Sequence, residues 1–389
     1  MKVGNFLFHQ SNSPETDSRI IDECLEIGVL SEKLGFHSVW LGEHHFDGTV
    51  AYTDPLIFAA ALIAKTQNIK IGFGALQGAF YHPVKLAEQI SLLDNLSKGR
   101  LIVGVGRGSA FNYFEYRGFG VDPKEAQDRL LELENNLIGI WNGDIKKFNG
   151  KIWNFDIPEI RPKIYSPNGP SVIRACASLN SVNEMAKNGR SIMLVAHTYE
   201  NTEKFVASYK KTLRENNYDD NYINNNLENS WIWRNIVVAD TDSQAESIAT
   251  KAFTNMQTHI SGSRNNLNTS DENKSIKQAL DDPRNTLKHA VIYGSPSTVL
   301  KEILKLKKLE IGGMISNFRL GDMPIKDHKN KMWFIYSIPF LTSILYLPLQ
   351  SRTGYLTFPL AIGLISILGY KKKKLPYPTP MIGFSRYNS

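Results

Sequence analysis

Eight times between Val3 and Asn317 the chain offers a short apolar run of strand length, and seven of these runs are joined to the next by at least one helix-length amphipathic segment. The runs fall at residues 3–8, 38–41, 69–74, 101–105, 171–174, 191–195, 232–239 and 313–317. The helical patterns fall at about 17–34, 55–65, 83–96, 123–141, 179–187, 202–216, from about 243, and at 296–308. Strand and helix periods alternating along one chain specify a parallel sheet with helices packed outside it. Eight steps over this length favour a closed α/β (β/α)₈ TIM barrel above an open doubly wound sheet. The barrel is expected over residues 1–325, with an irregular, proline-bearing insertion at 144–170 and a mobile polar loop at 261–285.

Charge narrows the function. The chain carries a net +7, but residues 326–389 hold nine Lys/Arg against one acid, so the first 325 residues are close to −1. The basic character belongs to the tail, and a nucleic-acid partner for the barrel is not expected. Two isolated cysteines, Cys24 and Cys176, read as buried thiols and fit a cytoplasmic location. Met1-Lys2 leads directly into the first strand, so no signal peptide is expected.

The second apolar run passes without a spacer into Gly42-Glu43-His44-His45-Phe46. Titratable groups at the carboxyl end of a barrel strand stand where such folds place chemistry. Adjacent residues on an extended chain point opposite ways, so His44 and His45 do not converge on one ion, and no metal is expected. Either imidazole can donate to a developing anion near neutral pH, or both can be satisfied in a core. A second constellation, Gly104-Val105-Gly106-Arg107-Gly108-Ser109, lets backbone approach a planar or phosphorylated ligand and adds a guanidinium, or is simply a tight turn. A third, Ala175-Cys176-Ala177-Ser178-Leu179-Asn180-Ser181, sets hydroxyls at a helix start, where they cap the helix or hold an anion. His82, before Pro83, and His197 stand at further strand-to-helix junctions.

In combination these residues, with Leu92-Leu93-Asp94-Asn95-Leu96-Ser97-Lys98-Gly99-Arg100, Tyr293-Gly294-Ser295-Pro296 and Gly312-Gly313-Met314-Ile315-Ser316-Asn317-Phe318, resemble the bacterial luciferase-like, flavin-dependent monooxygenases. The resemblance runs to about Pro324. It implies a barrel, usually dimeric, that binds reduced FMN supplied by a separate NAD(P)H:flavin reductase. Dioxygen then forms a peroxyflavin that oxygenates a small, mostly apolar substrate. On the same resemblance His44 is the active-site histidine, with Glu43 as its catalytic companion in a supporting role. Gly106, Arg107, Ser178, Ser181 and, less directly, Arg129 bind the cofactor. His45, Phe46, His82 and His197 are expected around the substrate. Light emission does not carry over, because the light-emitting members have a glutamate where this chain has Ala177 and a cysteine where it has Gly106. A deazaflavin-dependent dehydrogenase on the same barrel, or a flavin-binding protein without activity, are the alternatives.

Past residue 325 the pattern breaks. Uncharged runs at 333–349 and 354–370 replace the expected eighth helix, and Lys371 to Lys374 follow. A membrane hairpin, a tail from a shifted frame or fusion, and a packed cover over the barrel are three readings of it.

Overall fold

The computed structural model describes residues 1–167, 169–277 and 286–325. Eight parallel strands form a ring: β1 (Lys2–Phe6), β2 (Ser38–Leu41), β3 (Lys70–Phe73), β4 (Leu101–Gly106), β5 (Ser171–Cys176), β6 (Ile192–Leu194), β7 (Trp231–Val238) and β8 (Gly313–Asn317). Each pairs with the next in order, and β8 closes on β1 with Lys2 opposite Gly313 and Asn5 opposite Ser316. The ring is the barrel expected from the rhythm of the sequence.

The interior is filled by Phe6, Trp40, Ile102, Ile173, Met193, Trp231 and Ile315. Of its two tryptophans Trp40 is fully buried, its indole nitrogen donating to Ser38 Oγ at 2.9 Å. Glycines on both neighbouring strands make room for it. A Cβ on Gly4 would lie 2.4 Å from the indole nitrogen, and one on Gly72 would lie 2.5 Å from a ring carbon. Any larger residue at either position drives into the ring, and overpacking of this kind costs about 1–3 kcal/mol.

Three features depart from the sequence reading. The segment from Ser261 is not a loop: helix Asp242–Leu267 continues through it, and a further helix, Ser270–Lys277, follows. Its early turns are fixed by Ala245, Ala249, Ala252 and Phe253, buried at helical spacing. Its polar end stays helical because side chains near it dock elsewhere. Arg264 Nε donates to Asn112 Oδ1 at 3.0 Å, and Asn268 donates to the Phe111 carbonyl and accepts from the Phe114 N–H. Residues 278–285 of the expected loop lie outside the described residues. The second departure is an extra strand, Val291–Gly294, so that β7 forks. Trp231 to Asn235 pair with β8, and Asn235 to Val238 pair with the extra strand. Asn235 stands at the branch, donating to the Ala290 carbonyl and accepting from Asn317, both near 3 Å. The third is a short helix, Tyr113–Gly118, inside the glycine-rich loop after β4. The expected insertion at 144–170 holds an antiparallel hairpin, Lys147–Asn149 with Asn154–Asp156.

Among the described residues no helix is long and apolar enough to cross a membrane. The uncharged runs at 333–349 and 354–370, the boundary placed after residue 325 and the fate of the eighth helix lie outside the described residues.

Candidate active site

The strand ends converge on one cavity of about 720 Å³ at the carboxyl face of the barrel, the face on which barrel enzymes carry their chemistry. After β2, the Gly42 N–H donates to Tyr52 Oη, which in turn donates to the Leu7 carbonyl beyond β1, each at 2.9 Å. The chain leaving β2 is therefore held in place before its first polar side chain.

Glu43 lines the cavity, yet its carboxylate is fully engaged. Oε2 accepts from the Gln77 N–H at 2.7 Å, and Oε1 accepts from Tyr81 Oη at 2.9 Å and His45 Nε2 at 3.0 Å. Its carbonyl takes the Gln77 amide at 3.0 Å. A carboxylate with four donors on and around it is a brace between the loops after β2 and β3, not a group open to a reactant. Burial and the Glu43 charge push the Tyr81 hydroxyl well above its ordinary value, so it stays a donor.

His44 is the open one. Its side chain is about one quarter exposed, and Nδ1 lies 3.0 Å from Glu115 Oε1, which also accepts from the His45 N–H at 3.0 Å. The edge of Phe8 stands against the ring at 5.7 Å. Burial disfavours the imidazolium, but the Glu115 charge and hydrogen bond outweigh it and raise His44 above its ordinary value. Burial likewise disfavours the Glu115 carboxylate, and His44 together with the His45 N–H outweighs that to hold it below the usual range. Through the short helix at Tyr113–Gly118, the loop after β4 thus sets the protonation of a histidine after β2. Asn112 joins the group, with its amide nitrogen 3.5 Å from His44 Nδ1 and its oxygen accepting from Arg264.

Gly106, Arg107, Ser178 and Ser181 line the same cavity. Ser178 caps helix Leu179–Lys187 in a reciprocal box with Ser181, so a helix start with its positive dipole end borders the space beside Arg107. Behind it Arg174, on β5, donates through Nε to both oxygens of Glu134 at 2.8 and 2.9 Å and through Nη1 to Glu184 at 2.8 Å. A Cβ on Gly106 would sit 3.4 Å from the Ala75 methyl and 3.5 Å from that of Ala175. Two polar atoms in the wall, Gln77 Oε1 and Trp233 Nε1, are buried without a partner among the described residues.

Five of the residues expected here do not line the cavity. His45 turns the other way, onto Glu43 and the rings of Phe80 and Phe119. Phe46 is 59% exposed and packs on Phe119. His82 caps helix Pro83–Ser97 by accepting the Val84 N–H at 3.2 Å, with Trp153 against its ring. His197 packs on Phe205. Arg129 is ion-paired to Glu125 at 3.0 Å and lies over Trp153. Three wall side chains that the sequence reading missed are Arg174, Arg264 and Gln77, and it also missed Glu115, which stands behind His44 as its partner. Only Glu115 carries a signal, as a lone acid within the aromatic run Tyr113-Phe114-Glu115-Tyr116.

The family model for luciferase-like monooxygenases matches residues 1–311. Among characterised relatives, the chain is 28% identical over 180 residues to the oxygenase component of the flavin-dependent trigonelline monooxygenase of Acinetobacter baylyi, 46% of this chain and 50% of that one. It is 29% identical over 222 residues to the alkanal monooxygenase alpha chain of Photorhabdus luminescens, 56% of this chain and 60% of that one. The chain thus spans about half the length of the curated relatives it matches. Among solved structures it resembles monooxygenase RslO1 of Streptomyces bottropensis, with a TM-score of 0.71 at 23% identity, covering 88% of this chain and 100% of that one. It also resembles the FMN-bound oxygenating constituent of 3,6-diketocamphane monooxygenase from Pseudomonas putida, with a TM-score of 0.66 at 18% identity over 87% and 96% of the two chains. An F420-dependent secondary alcohol dehydrogenase gives the same TM-score and identity over 87% and 97%.

Proposed function

Since the chain belongs to the luciferase-like monooxygenase family, we propose that it uses reduced FMN and dioxygen to oxygenate a small, mostly apolar organic substrate, one oxygen atom entering the product and the other leaving as water. One observation carries this reading. The His44–Glu115 pair opens on the same cavity as Arg107 and the helix start at Ser178.

The residues present fit a flavin mononucleotide. Gly106, Ala75 and Ala175 show the cavity only backbone and methyl groups, a strip a planar ring system can lie against. Gln77 Oε1 and Trp233 Nε1 are an unpaired acceptor and donor of the kind a heteroaromatic edge would satisfy. Arg107, Ser178 and Ser181 would hold the phosphate, since a guanidinium and a helix N-terminus both favour it. When bound, the reduced flavin would supply the electrons that activate dioxygen. The remaining work falls to this chain. Nδ1 of His44 is committed to Glu115, so Nε2 is the atom at which a proton is held for, or taken from, a reacting group. Phe8 stands edge-on to the His44 ring, and Phe6, Trp233 and Ile315 add apolar wall to the same cavity. Reduced flavin would come from a separate NAD(P)H:flavin reductase, and the chain would act as a homodimer.

The test is turnover of the full chain with reduced FMN in air-saturated buffer against a panel of apolar substrates, reading oxygen consumed and product formed. Product that carries no atom from isotopically labelled dioxygen, or product formed only when an oxidised deazaflavin is supplied as hydride acceptor in place of reduced FMN, overturns the reading. So does tight flavin binding with no product from any substrate. Arg107→Ala should lower FMN affinity about 10- to 100-fold, the effect of losing charge-assisted hydrogen bonds worth about 1.5–3 kcal/mol. Titration by flavin fluorescence measures it, and an unchanged affinity removes Arg107 from the phosphate site.

A pH prediction follows from the pair. With Glu115 present, His44 keeps its proton to higher pH than a free imidazole, whose value is near 6.5. In Glu115→Gln burial is left opposed only by the weaker charge of Asp47, with Arg264 acting in the same direction as burial, so the limb of the kcat/KM profile that reports His44 should move to lower pH. The stability this pair adds is present below the ordinary histidine value on the His44 side and is lost as pH rises through its raised folded value. On the Glu115 side it is present above the ordinary carboxylate value and is lost as pH falls through the lowered one. A profile identical in wild type and Glu115→Gln would show that Glu115 does not set His44.

A further inference from the structure

We propose that the cavity takes organic acids, anchoring the substrate's carboxylate on Arg264 beside His44. The proposal rests on the reading of this cavity as the place where an apolar substrate is oxygenated, and it names the polar group that the substrate carries.

Arg264 reaches the cavity wall from the distal end of helix Asp242–Leu267. Its Nε is committed to Asn112 Oδ1 at 3.0 Å, and its guanidinium carbon sits 5.2 Å from the centre of the Phe111 ring. One hydrogen bond and one ring contact fix the guanidinium, while its two Nη groups meet no protein acceptor among the described residues. The arginines that are buried outright have their guanidinium nitrogens engaged, Arg234 on the Trp233 carbonyl and Thr202 Oγ1. Arg174, in the same wall, is paired with Glu134 and Glu184, and Arg319 is paired with Glu23. Asp47 and Glu115 attract Arg264 from a distance, without forming an ion pair, and burial lowers its pKa. A partly buried guanidinium with two free Nη donors matches a carboxylate in geometry and charge, and bidentate pairing is the strong form of that contact.

The position also suits substrate rather than cofactor. Arg264 comes from the helix after β7 and is tied through Asn112 to His44, whereas Arg107 follows β4 and Ser178 and Ser181 stand at the start of the helix after β5. Phe8, Phe111, Trp233 and Ile315 supply apolar wall for the body of the acid. An acid held at Arg264 would therefore present its apolar part to the space that His44 borders.

Calorimetric titration of the full chain, without flavin, with benzoate against benzamide and hexanoate against hexanamide tests this directly. At least one acid should bind about tenfold or more tightly than its amide. Arg264→Met should bring that acid down to the amide's level while FMN affinity stays at the wild-type value, and Arg264→Lys should retain part of the preference. No preference in wild type, a preference that survives Arg264→Met, or a loss of FMN affinity matching that of Arg107→Ala would each overturn the proposal. If circular dichroism shows Arg264→Met to be unfolded, the wild-type preference and the Arg264→Lys variant decide. A preference for acids with no oxygenated product from FMN and dioxygen would leave the Arg264 site standing and sink the monooxygenase reading instead.

Discussion

Replacing His44 by alanine should cut oxygenated product by about 10²–10⁴-fold, the range lost when a positioned acid–base group is removed, while flavin affinity stays at the wild-type value. His44 is expected to affect the fate of oxygen and not the flavin, because the phosphate-ready groups lie on other loops and none of them bonds to His44. Flavin oxidation should continue, with reducing equivalents appearing as hydrogen peroxide in place of product. The measurement is product formed and peroxide released per flavin oxidised, in single-turnover mixing of reduced FMN, enzyme and oxygen. An unchanged product yield would remove His44 from the chemistry, and the argument from its pairing with Glu115 would go with it.

Glu134→Ala should be the most destabilising of the substitutions considered, by about 3–5 kcal/mol, because it leaves a buried guanidinium without its main partner. Arg174 and Glu134 expose only 4% and 2% of their side chains, and Glu184 is the other acid on Arg174. Equilibrium denaturation of wild type and variant measures the loss directly. The double variant Arg174→Met/Glu134→Leu should recover most of it, since an apolar pair of similar volume avoids the desolvation that the charges require. A loss below about 1 kcal/mol in the single variant would mean that solvent reaches Arg174 and screens it. Flavin affinity supplies a second readout. Glu184 lies on the helix that Ser178 caps, so releasing Arg174 should also loosen the phosphate end of the cavity.

The barrel was legible because parallel strands covered on both faces read as unbroken apolar runs, and all eight runs lie in the ring. The alternation of an extended chain also separated His44 from His45 before any coordinate was known, and the structure turns the two rings to different surroundings. What could not be read was contact between distant loops. His82 and His197 stood at strand ends as His44 does, and only packing shows that one caps a helix while the other rests on Phe205. Arg129 lay on the expected helix, yet Glu125 and Trp153 hold it outside the wall. Glu115 sits on a short helix with too few turns to show a period, and Arg264 lies in a polar stretch whose composition suggested a loop. Its helical state comes from Asn112, Phe111 and Phe114, which lie some 150 residues earlier.

That separation bears on the order in which the protein is made. The Phe114 N–H that anchors the Glu115 helix is capped by Asn268, and Arg117 of the same helix pairs with Glu272. During synthesis, β1 to β5 and both His44 and Glu115 emerge well before the residues that clamp them. Contacts this remote in sequence form late, after the cost of closing a long loop has been met. A ribosome-bound chain ending before residue 264 would therefore contain every group of the His44–Glu115 pair and still lack the rigid setting that tunes it, so competence for oxygen chemistry should arrive only after Arg264, Asn268 and Glu272 have emerged.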